Sequence, residues 1–289
     1  MSMNSILWAL AYLILAPFIG GLMEGFDRKI SARMQRRVGP PLLQPFYDVK
    51  KLLNKEIIIV SRGQSLMMIT YMLMMILTGV VFFLGMDLLM CFFVLSTAAA
   101  FLYFAAMITN SPYSTMGASR ELVQMMAYEP AVLLCAVGLY LATGSFYVRD
   151  MIAGTWSPIL KLPGIFIAFV FCLTIKLRKS PFDTSTSRHP HQELVKGLTT
   201  EMGARNLAFY TITEWYEIVF LMAVVALFII NSNPLSYVAA VIVVALVYFL
   251  EILIDNSSAR IKWEKMIIMA WTCTLVFAGV NMIILMLIK

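Results

Sequence analysis

The chain alternates between long apolar runs and shorter polar connections. A helix needs about 20 apolar residues to cross a bilayer, and the sequence contains eight runs that approach this length. The predicted spans are Ile6–Met23, Leu66–Gly85, Leu88–Ile108, Ala131–Tyr147, Pro163–Lys176, Tyr210–Ile230, Ser236–Ile254 and Met266–Ile288. Because the fifth run is short, we expect its helix to continue into the charged segment after it. The pattern predicts an all-α polytopic membrane protein with one membrane domain over residues 1–289.

Lysine and arginine are distributed unevenly between the two ends of these spans. Only Arg149, Lys161 and Lys289 lie beyond the even-numbered spans or at the C-terminus, and the others follow spans one, three, five and seven. Under the positive-inside rule, the loops after odd-numbered spans face the cytoplasm and both termini lie outside. The two long cytoplasmic loops are then residues 24–65 and 177–209. The N-terminal run lacks a signal-peptide cleavage site, so we expect a retained helix.

The longest polar interruption runs from Glu24 to Glu56 and contains the break Gly39-Pro40-Pro41. It carries more basic than acidic residues, and more charge than a connection between two membrane helices needs. We interpret it as an amphipathic docking surface for a partner protein at the membrane. The candidate docking residues are Arg28, Arg33, Arg36, Arg37, Gln44, Asp48 and Lys51.

The composition excludes several classes of protein. Hydrophobic residues make up 61% of the chain and charged residues 13%, whereas a soluble domain is roughly 45–50% apolar and about 25% charged. The net charge of +6 does not indicate nucleic-acid binding, because the basic residues lie between apolar spans. The four cysteines lie inside apolar runs without a Cys-x-x-Cys pair, which is typical of small buried hydrophobic residues. We therefore expect no metal and no redox cofactor in this chain.

Ionisable side chains in or beside the spans are the candidate functional groups, because such groups are costly inside a membrane. Glu251 and Asp255 are four residues apart near the cytoplasmic end of span seven. Neighbouring carboxyl groups in a low dielectric can hold protons near neutral pH. The candidates are Glu121, Glu129, Lys176, Asp183, Glu193, Glu201, Glu214, Glu217, Glu251 and Asp255. The alternative interpretation is that these groups only mark helix ends and pair with nearby basic residues.

His189 and His191 are the two histidines of the chain, and both lie in the loop 177–209. Histidine titrates near neutral pH, so the pair could take part in proton uptake at the cytoplasmic surface. The competing interpretation treats them as solvated or partner-contacting loop residues. Asp183, His189 and His191 are therefore the candidate functional residues within this loop.

Four blocks of sequence occur in a fixed order along the chain. The first contains Glu24, Asp27-Arg28-Lys29, Met34–Pro40, Leu43-Gln44-Pro45, Asp48 and Lys51 through to Lys55-Glu56, and the second contains Gly117, Arg120, Gln124 and Tyr128-Glu129. The third contains Pro181-Phe182-Asp183, Gln192–Val195, Gly197 and Thr200-Glu201, and the fourth is Glu214-Trp215-Tyr216. With these blocks the chain resembles, over nearly its whole length, the large polytopic membrane subunit shared by respiratory complex I and the energy-converting NiFe hydrogenases. In complex I that subunit is called NADH dehydrogenase subunit 1, or the H subunit.

The resemblance implies partner subunits and residue roles that the sequence pattern alone does not indicate. It implies an iron–sulfur small subunit and a NiFe-type large subunit on the cytoplasmic side, and an antiporter-like subunit within the bilayer. The iron–sulfur clusters and the NiFe centre would belong to those partners. Carboxylates at Glu129, Glu193, Glu201 and Glu214 would belong to a polar channel that links redox chemistry to proton movement. The residues of second rank are Glu121, Lys176, Glu251 and Asp255.

Departures from the pattern of complex I distinguish between branches of the family. The residues after Asp183 lack two expected acids and contain two histidines, Lys176 stands where a glutamate is usual, and the Gly39-Pro40-Pro41 segment is short. These features resemble the simple ferredoxin-linked hydrogenases of the Ech type. We expect the membrane anchor and coupling subunit of such an enzyme, in a prokaryotic cytoplasmic (inner) membrane, linked to H+ or Na+ translocation.

Three alternatives remain. The first is a quinone-reducing H subunit of complex I, and the second is a passive anchor without an ion path. The third, a free-standing transporter, is disfavoured because the polar residues lie on one side and no inverted repeat is visible.

Overall fold

Helices make up nearly all of the protein in a computed structural model that describes residues 3–58, 60–179, 181–182, 185–186 and 197–288. No strand occurs in these ranges beyond two isolated bridges. The helices are α1 (Met3–Met34), α2 (Gln44–Leu53), α3 (Arg62–Phe83), α4 (Leu88–Met107), α5 (Pro112–Thr143), α6 (Val148–Ile152), α7 (Pro163–Lys176), α8 (Ala204–Leu227), α9 (Leu235–Ser257), α10 (Trp263–Cys273) and α11 (Val280–Ile288). The prediction of an all-α polytopic membrane protein is confirmed.

The apolar helices follow the predicted spans closely. In the described ranges, seven helices are long and apolar enough to cross a membrane, and α7 is a shorter apolar helix. The last of the seven, Trp263–Leu287, combines α10 and α11 through a π-helical turn over Thr274–Gly279. Together with α7 they account for the eight predicted segments in the described part of the chain.

Two helices extend well beyond their predicted ends. Helix α1 continues to Met34, so the first part of the stretch Glu24–Glu56 is helical. Helix α5 begins at Pro112 and runs through Pro130 without ending. Proline is tolerated inside membrane helices because neighbouring groups satisfy the carbonyl that it leaves free. Hydropathy missed both extensions because their residues are polar.

The expectation that the fifth span continues as a helix beyond Lys176 is wrong. Helix α7 ends at Lys176, and Arg178 has a φ of 55°. This left-handed backbone conformation stops an α-helix. As a result the chain turns directly after α7, and the side chains of Lys176, Arg178 and Lys179 contact different helices.

Helix α8 occupies the centre of the bundle and packs against α1, α2, α3 and α9. Contacts between charged residues bring together the last turns of α1, the first half of α5, the end of α7, the middle of α8 and the end of α9. We call this the polar end of the bundle. The opposite end joins the loops around Asp87, Tyr147 and Phe228. Assignment of the polar end to the cytoplasm stays a prediction.

Helix α2 is amphipathic and lies inside the predicted docking stretch. It buries Pro45 and Val49, and Val49 packs with Ala208 and Trp215 of α8. Lys50 and Lys51 are exposed on the other face. The docking stretch therefore consists of the end of α1, a turn and a surface helix held against α8.

Candidate functional site

Three cations leave the end of α7, and each is buried against carboxylates from other helices. They are Lys176, Arg178 and Lys179. An unpaired charge is very costly in such surroundings, so buried cations are found with anionic partners. We call these three residues and the carboxylates that they contact the α7 charge cluster.

Lys176 connects α7 with α5 and α8. Its ammonium nitrogen lies 2.7 Å from Oε1 of Glu217 and donates a hydrogen bond to the hydroxyl of Tyr128 at 3.1 Å. The ammonium also lies 4.6 Å from the centre of the Tyr128 ring. The side chains of Lys176 and Glu217 are each 9% exposed. The Lys176–Glu217 ion pair is therefore almost completely shielded from solvent.

Arg178 binds Glu121 of α5 through two hydrogen bonds, of 2.8 and 3.0 Å. It also donates to the hydroxyl groups of Ser185 at 2.7 Å and Thr186 at 3.0 Å. Its Nε lies 3.5 Å from Oε1 of Glu214 on α8. Burial lowers the pKa of Arg178, but the carboxylate of Glu121 opposes this effect and the pKa ends well above its ordinary value. The guanidinium is a permanent charge.

A small cavity separates these two ion pairs. Its volume is about 10 Å³, and Glu121, Lys176, Arg178 and Glu217 all border it. A volume of roughly 10–15 Å³ is the least that holds one water molecule. The cavity therefore has close to the smallest volume that admits one water.

Lys179 turns away from this pair of contacts and reaches α1 and α9. Its ammonium nitrogen lies 2.7 Å from Asp27 and 3.7 Å from Asp255. The Lys179 side chain is only 1% exposed. Asn256 donates a hydrogen bond of 2.9 Å to Ser31, which adds a neutral connection between α9 and α1. The adjacent residues Arg178 and Lys179 therefore contact two separate groups of carboxylates.

A further ion pair connects α1 with α2. Arg28 lies 2.6 Å from Glu24 and 2.7 Å from Asp48. Gln44 donates a hydrogen bond of 2.9 Å to Asp48, and the indole of Trp215 donates one of 2.5 Å to Glu24. These contacts hold the amphipathic helix α2 to the membrane bundle.

Glycines bring α1 into close contact with α2 and α8. A β-carbon at Gly20 would overlap the backbone of Trp215, and one at Gly25 would overlap the carbonyl of Leu42. A β-carbon at Gly21 would overlap the ring of Phe46. We call this contact the α1–α2–α8 seam. It is filled by protein atoms at these three positions.

The structure brings some of the predicted proton-path residues together and separates others. Glu121, Lys176, Glu214 and Asp255 belong to the α7 charge cluster. Glu251 is fully buried on α9, one turn before Asp255.

The remaining site candidates lie outside the α7 charge cluster. Glu129 on α5 and Glu201 before α8 are half-buried and make no ion pair with the described residues. Glu193, Asp183, His189 and His191 lie outside the described residues.

The predicted docking residues divide into two groups. Arg33, Arg36, Arg37 and Lys51 are exposed and available to a partner. Arg28, Gln44 and Asp48 instead hold α2 in place through contacts within the chain. The first group therefore fits the predicted role better than the second.

The sequence interpretation did not select Lys179, Asp27 or Glu24 as functional residues. The signal for Lys179 was present, because Lys176, Arg178 and Lys179 form a basic run at the end of an apolar segment. Nothing in the sequence indicated that the left-handed turn at Arg178 sends these side chains in different directions. Among the described residues, no group of three or more His, Cys, Asp or Glu side chains could hold a metal ion.

A bundle of membrane helices with buried charges at one end is the architecture of a polytopic subunit, not of a soluble enzyme. The model of the NADH dehydrogenase family matches residues 7–286, and the chain therefore belongs to that family. Relatives named in this family are subunits of oxidoreductase complexes, and this chain is a subunit of that kind.

Individual relatives come from more than one type of complex. Hydrogenase-4 component C of Escherichia coli is 28% identical over 284 residues, which cover 88% of each chain. NADH-ubiquinone oxidoreductase chain 1 of Mycosarcoma maydis is 28% identical and covers 86% of this chain and 85% of its own. A chain of the membrane-bound sulfane sulfur reductase, an archaeal respiratory membrane complex, superposes with a TM-score of 0.82 at 22% identity, covering 98% of this chain and all of that one. This last similarity establishes the fold.

Proposed function

We propose that this chain is the membrane anchor and coupling subunit of a ferredoxin-dependent, energy-converting NiFe hydrogenase in a prokaryotic cytoplasmic membrane. The chain holds the iron–sulfur subunit on the surface formed by the end of α1, α2 and the loop 177–209. It links electron transfer in that subunit to the movement of H+ or Na+ within the membrane. The iron–sulfur clusters and the NiFe centre belong to the partner subunits.

The α7 charge cluster is the observation that carries the coupling role. Three buried cations lie at the end of α7 and at the start of the loop 177–209, which faces the proposed partner. A shift of this segment would change the electrostatic environment of carboxylates on α1, α5, α8 and α9 together. The cavity between the Lys176–Glu217 and Arg178–Glu121 pairs is large enough for one water to carry a proton between them.

The preference for a hydrogenase over a quinone reductase has two supports. One relative is named as a hydrogenase component, although others are named quinone or ubiquinone oxidoreductases. The second support is the α1–α2–α8 seam, where the glycines place α1 in contact with Trp215, Phe46 and Leu42. A large ring entering between these helices would have to separate them.

Activity assays on the purified complex test which electron acceptor it uses. Reduced ferredoxin should support H2 evolution, and a short-chain ubiquinone or menaquinone should accept no electrons. Quinone reduction that is sensitive to substitution in the α1–α2–α8 seam would instead establish the second candidate function, a quinone-reducing H subunit. That candidate is retained because several relatives carry quinone in their names.

An ion path is distinguished from a passive anchor by neutral substitutions that break no ion pair. Glu129 and Glu201 are half-buried and make no ion pair with the described residues, so Glu129→Gln and Glu201→Gln should leave assembly intact. In liposomes that contain the complex, each variant should move fewer ions per electron than the wild type. Unchanged transport at equal assembly would support a passive anchor.

A further inference from the structure

Glu251 is a buried carboxyl group that differs from the other buried acids in the described part of the chain. Its residue is 0% exposed, and neither carboxyl oxygen has a hydrogen-bond partner among the described residues. By contrast, Asp27, Glu121 and Glu217 each have a cation within 2.8 Å. An ionised carboxylate without partners is too costly in such a site, so the group must either bind a cation or hold a proton.

The charged groups around Glu251 come from its own helix and from the segment after α7. Asp255 on α9 and Lys179 act on it electrostatically, and the thiol of Cys172 on α7 is a further titratable neighbour. Lys179 is already occupied, because it contacts Asp27 of α1 at 2.7 Å and Asp255 at 3.7 Å. Lys179 therefore lies against two other carboxylates, and no cation among the described residues contacts Glu251.

We propose that Glu251 is a proton-binding site, which is protonated while Lys179 contacts Asp27 and Asp255. When Lys179 moves from Asp255 to Glu251, the O–H bond of Glu251 breaks and its proton passes to the carboxylate of Asp255. Residues four apart on a helix are neighbours, so this transfer covers about 5–6 Å between the β-carbons. The total charge of the group is unchanged, since one ammonium and one proton exchange places.

This exchange would connect the second group of carboxylates to the same segment that holds Glu121 and Glu214. Arg178 and Lys179 are consecutive, so a displacement that loosens Arg178 also moves Lys179. The exchange step rests on the proposed coupling function, whereas protonation of Glu251 at rest depends only on its surroundings.

Infrared spectroscopy on the purified complex tests the protonation directly. The wild type should show the C=O stretch of a protonated carboxyl group that shifts in D2O and is missing from the Glu251→Gln variant. Absence of this band in the wild type would overturn the proposal. The measurement needs neither electron transfer nor hydrogenase activity, so its result is separate from the test of the proposed function.

Thermal unfolding of two matched variants provides an independent test. Glu251→Gln replaces one neutral group by another and should leave the Tm unchanged. Glu217→Gln removes the anionic partner of buried Lys176, so its Tm should fall clearly. An equal loss of Tm in both variants would mean that Glu251 is ionised and paired, which contradicts the proposal.

Carbodiimide labelling identifies the ion that Glu251 binds. Dicyclohexylcarbodiimide reacts with protonated carboxyl groups in apolar sites, and mass spectrometry locates the adduct. Labelling of Glu251 should decline as the pH rises and should be insensitive to Na+. Protection of Glu251 by Na+ at constant pH would show a sodium site in place of a proton site.

Discussion

Arg178 shows how much of the polar end depends on a single side chain. Its planar guanidinium contacts Glu121, Ser185 and Thr186 at once and approaches Glu214. An ammonium group cannot reproduce this arrangement, because it is a compact charge without the fork geometry of arginine. The left-handed backbone at this residue also redirects the chain between Lys176, which ends α7, and Lys179.

Substitutions of Arg178 should separate the effect of charge from that of geometry. Arg178→Gln leaves Glu121 buried without its cation and should cost about 3–5 kcal/mol of stability. Arg178→Lys keeps the charge and should give an intermediate loss. Thermal unfolding in detergent measures both, with Lys161→Gln at the opposite, exposed end as the control. A loss in Arg178→Lys as large as in Arg178→Gln would mean that charge contributes nothing.

The stabilisation by Arg178 should not depend on pH near neutrality. Its folded-state pKa is raised above the ordinary value of an arginine, so its contribution is complete below that ordinary value and is lost only at higher pH. The Tm difference between the wild type and Arg178→Gln should therefore be the same at about pH 6 and about pH 8. A difference that changes over this interval would assign the effect to another group.

At the scale of single residues, the sequence indicated which ionisable residues belong to the site better than it indicated their contacts. Glu121, Lys176, Glu214 and Asp255 were selected because ionisable groups near membrane spans are costly, and the structure places them in one cluster. Lys179 was missed because its role depends on the turn at Arg178. A single left-handed residue leaves no clear signal in hydropathy or spacing.

Among the elements, the packing of α1 against α2 and α8 closes the α1–α2–α8 seam. Glycines at positions 20, 21 and 25 remove side chains where α1 meets Trp215, Phe46 and Leu42. Hydropathy predicted the apolar part of α1 but placed its end at Met23. The polar last turns of α1 are helical because Glu24, Asp27 and Arg28 find partners on other helices.

Enlarging a seam glycine should separate these helices. In Gly25→Ala the new β-carbon overlaps the carbonyl of Leu42, and such overpacking costs about 1–3 kcal/mol. The matched control is Gly279→Ala, whose β-carbon would lie 4.0 Å from its nearest neighbour. Thermal unfolding and proteolysis after Lys50 or Lys51 should both detect the change. Equal stability of the two variants would show that the seam is loosely packed.

For the whole molecule, the lysines and arginines of the described chain are concentrated at the polar end of the bundle, and Arg149 and Lys161 lie at the opposite end. This asymmetry was predictable from the distribution of lysine and arginine, because charged loops do not cross a bilayer readily. The packing of α8 at the centre and of α2 against it was not predictable, since both depend on contacts between distant parts of the chain.

Charge reversal on the exposed part of the docking stretch should weaken assembly with the iron–sulfur subunit. Arg37→Glu combined with Lys51→Glu should lower the association rate about tenfold or more at low salt, and less at high salt. Lys161→Glu, at the opposite end, is the control and should have no effect. Equal association rates for all three proteins would exclude this surface as the docking site.

The most direct test of coupling removes one buried ion pair as a unit. The double variant Lys176→Met, Glu217→Gln leaves no uncompensated charge at this position, so the complex should assemble and transfer electrons. Ion movement per electron is then measured in liposomes that contain the purified complex. We predict that electron transfer continues while ion movement is lost or strongly reduced. An unchanged number of ions moved per electron would contradict the proposed coupling role.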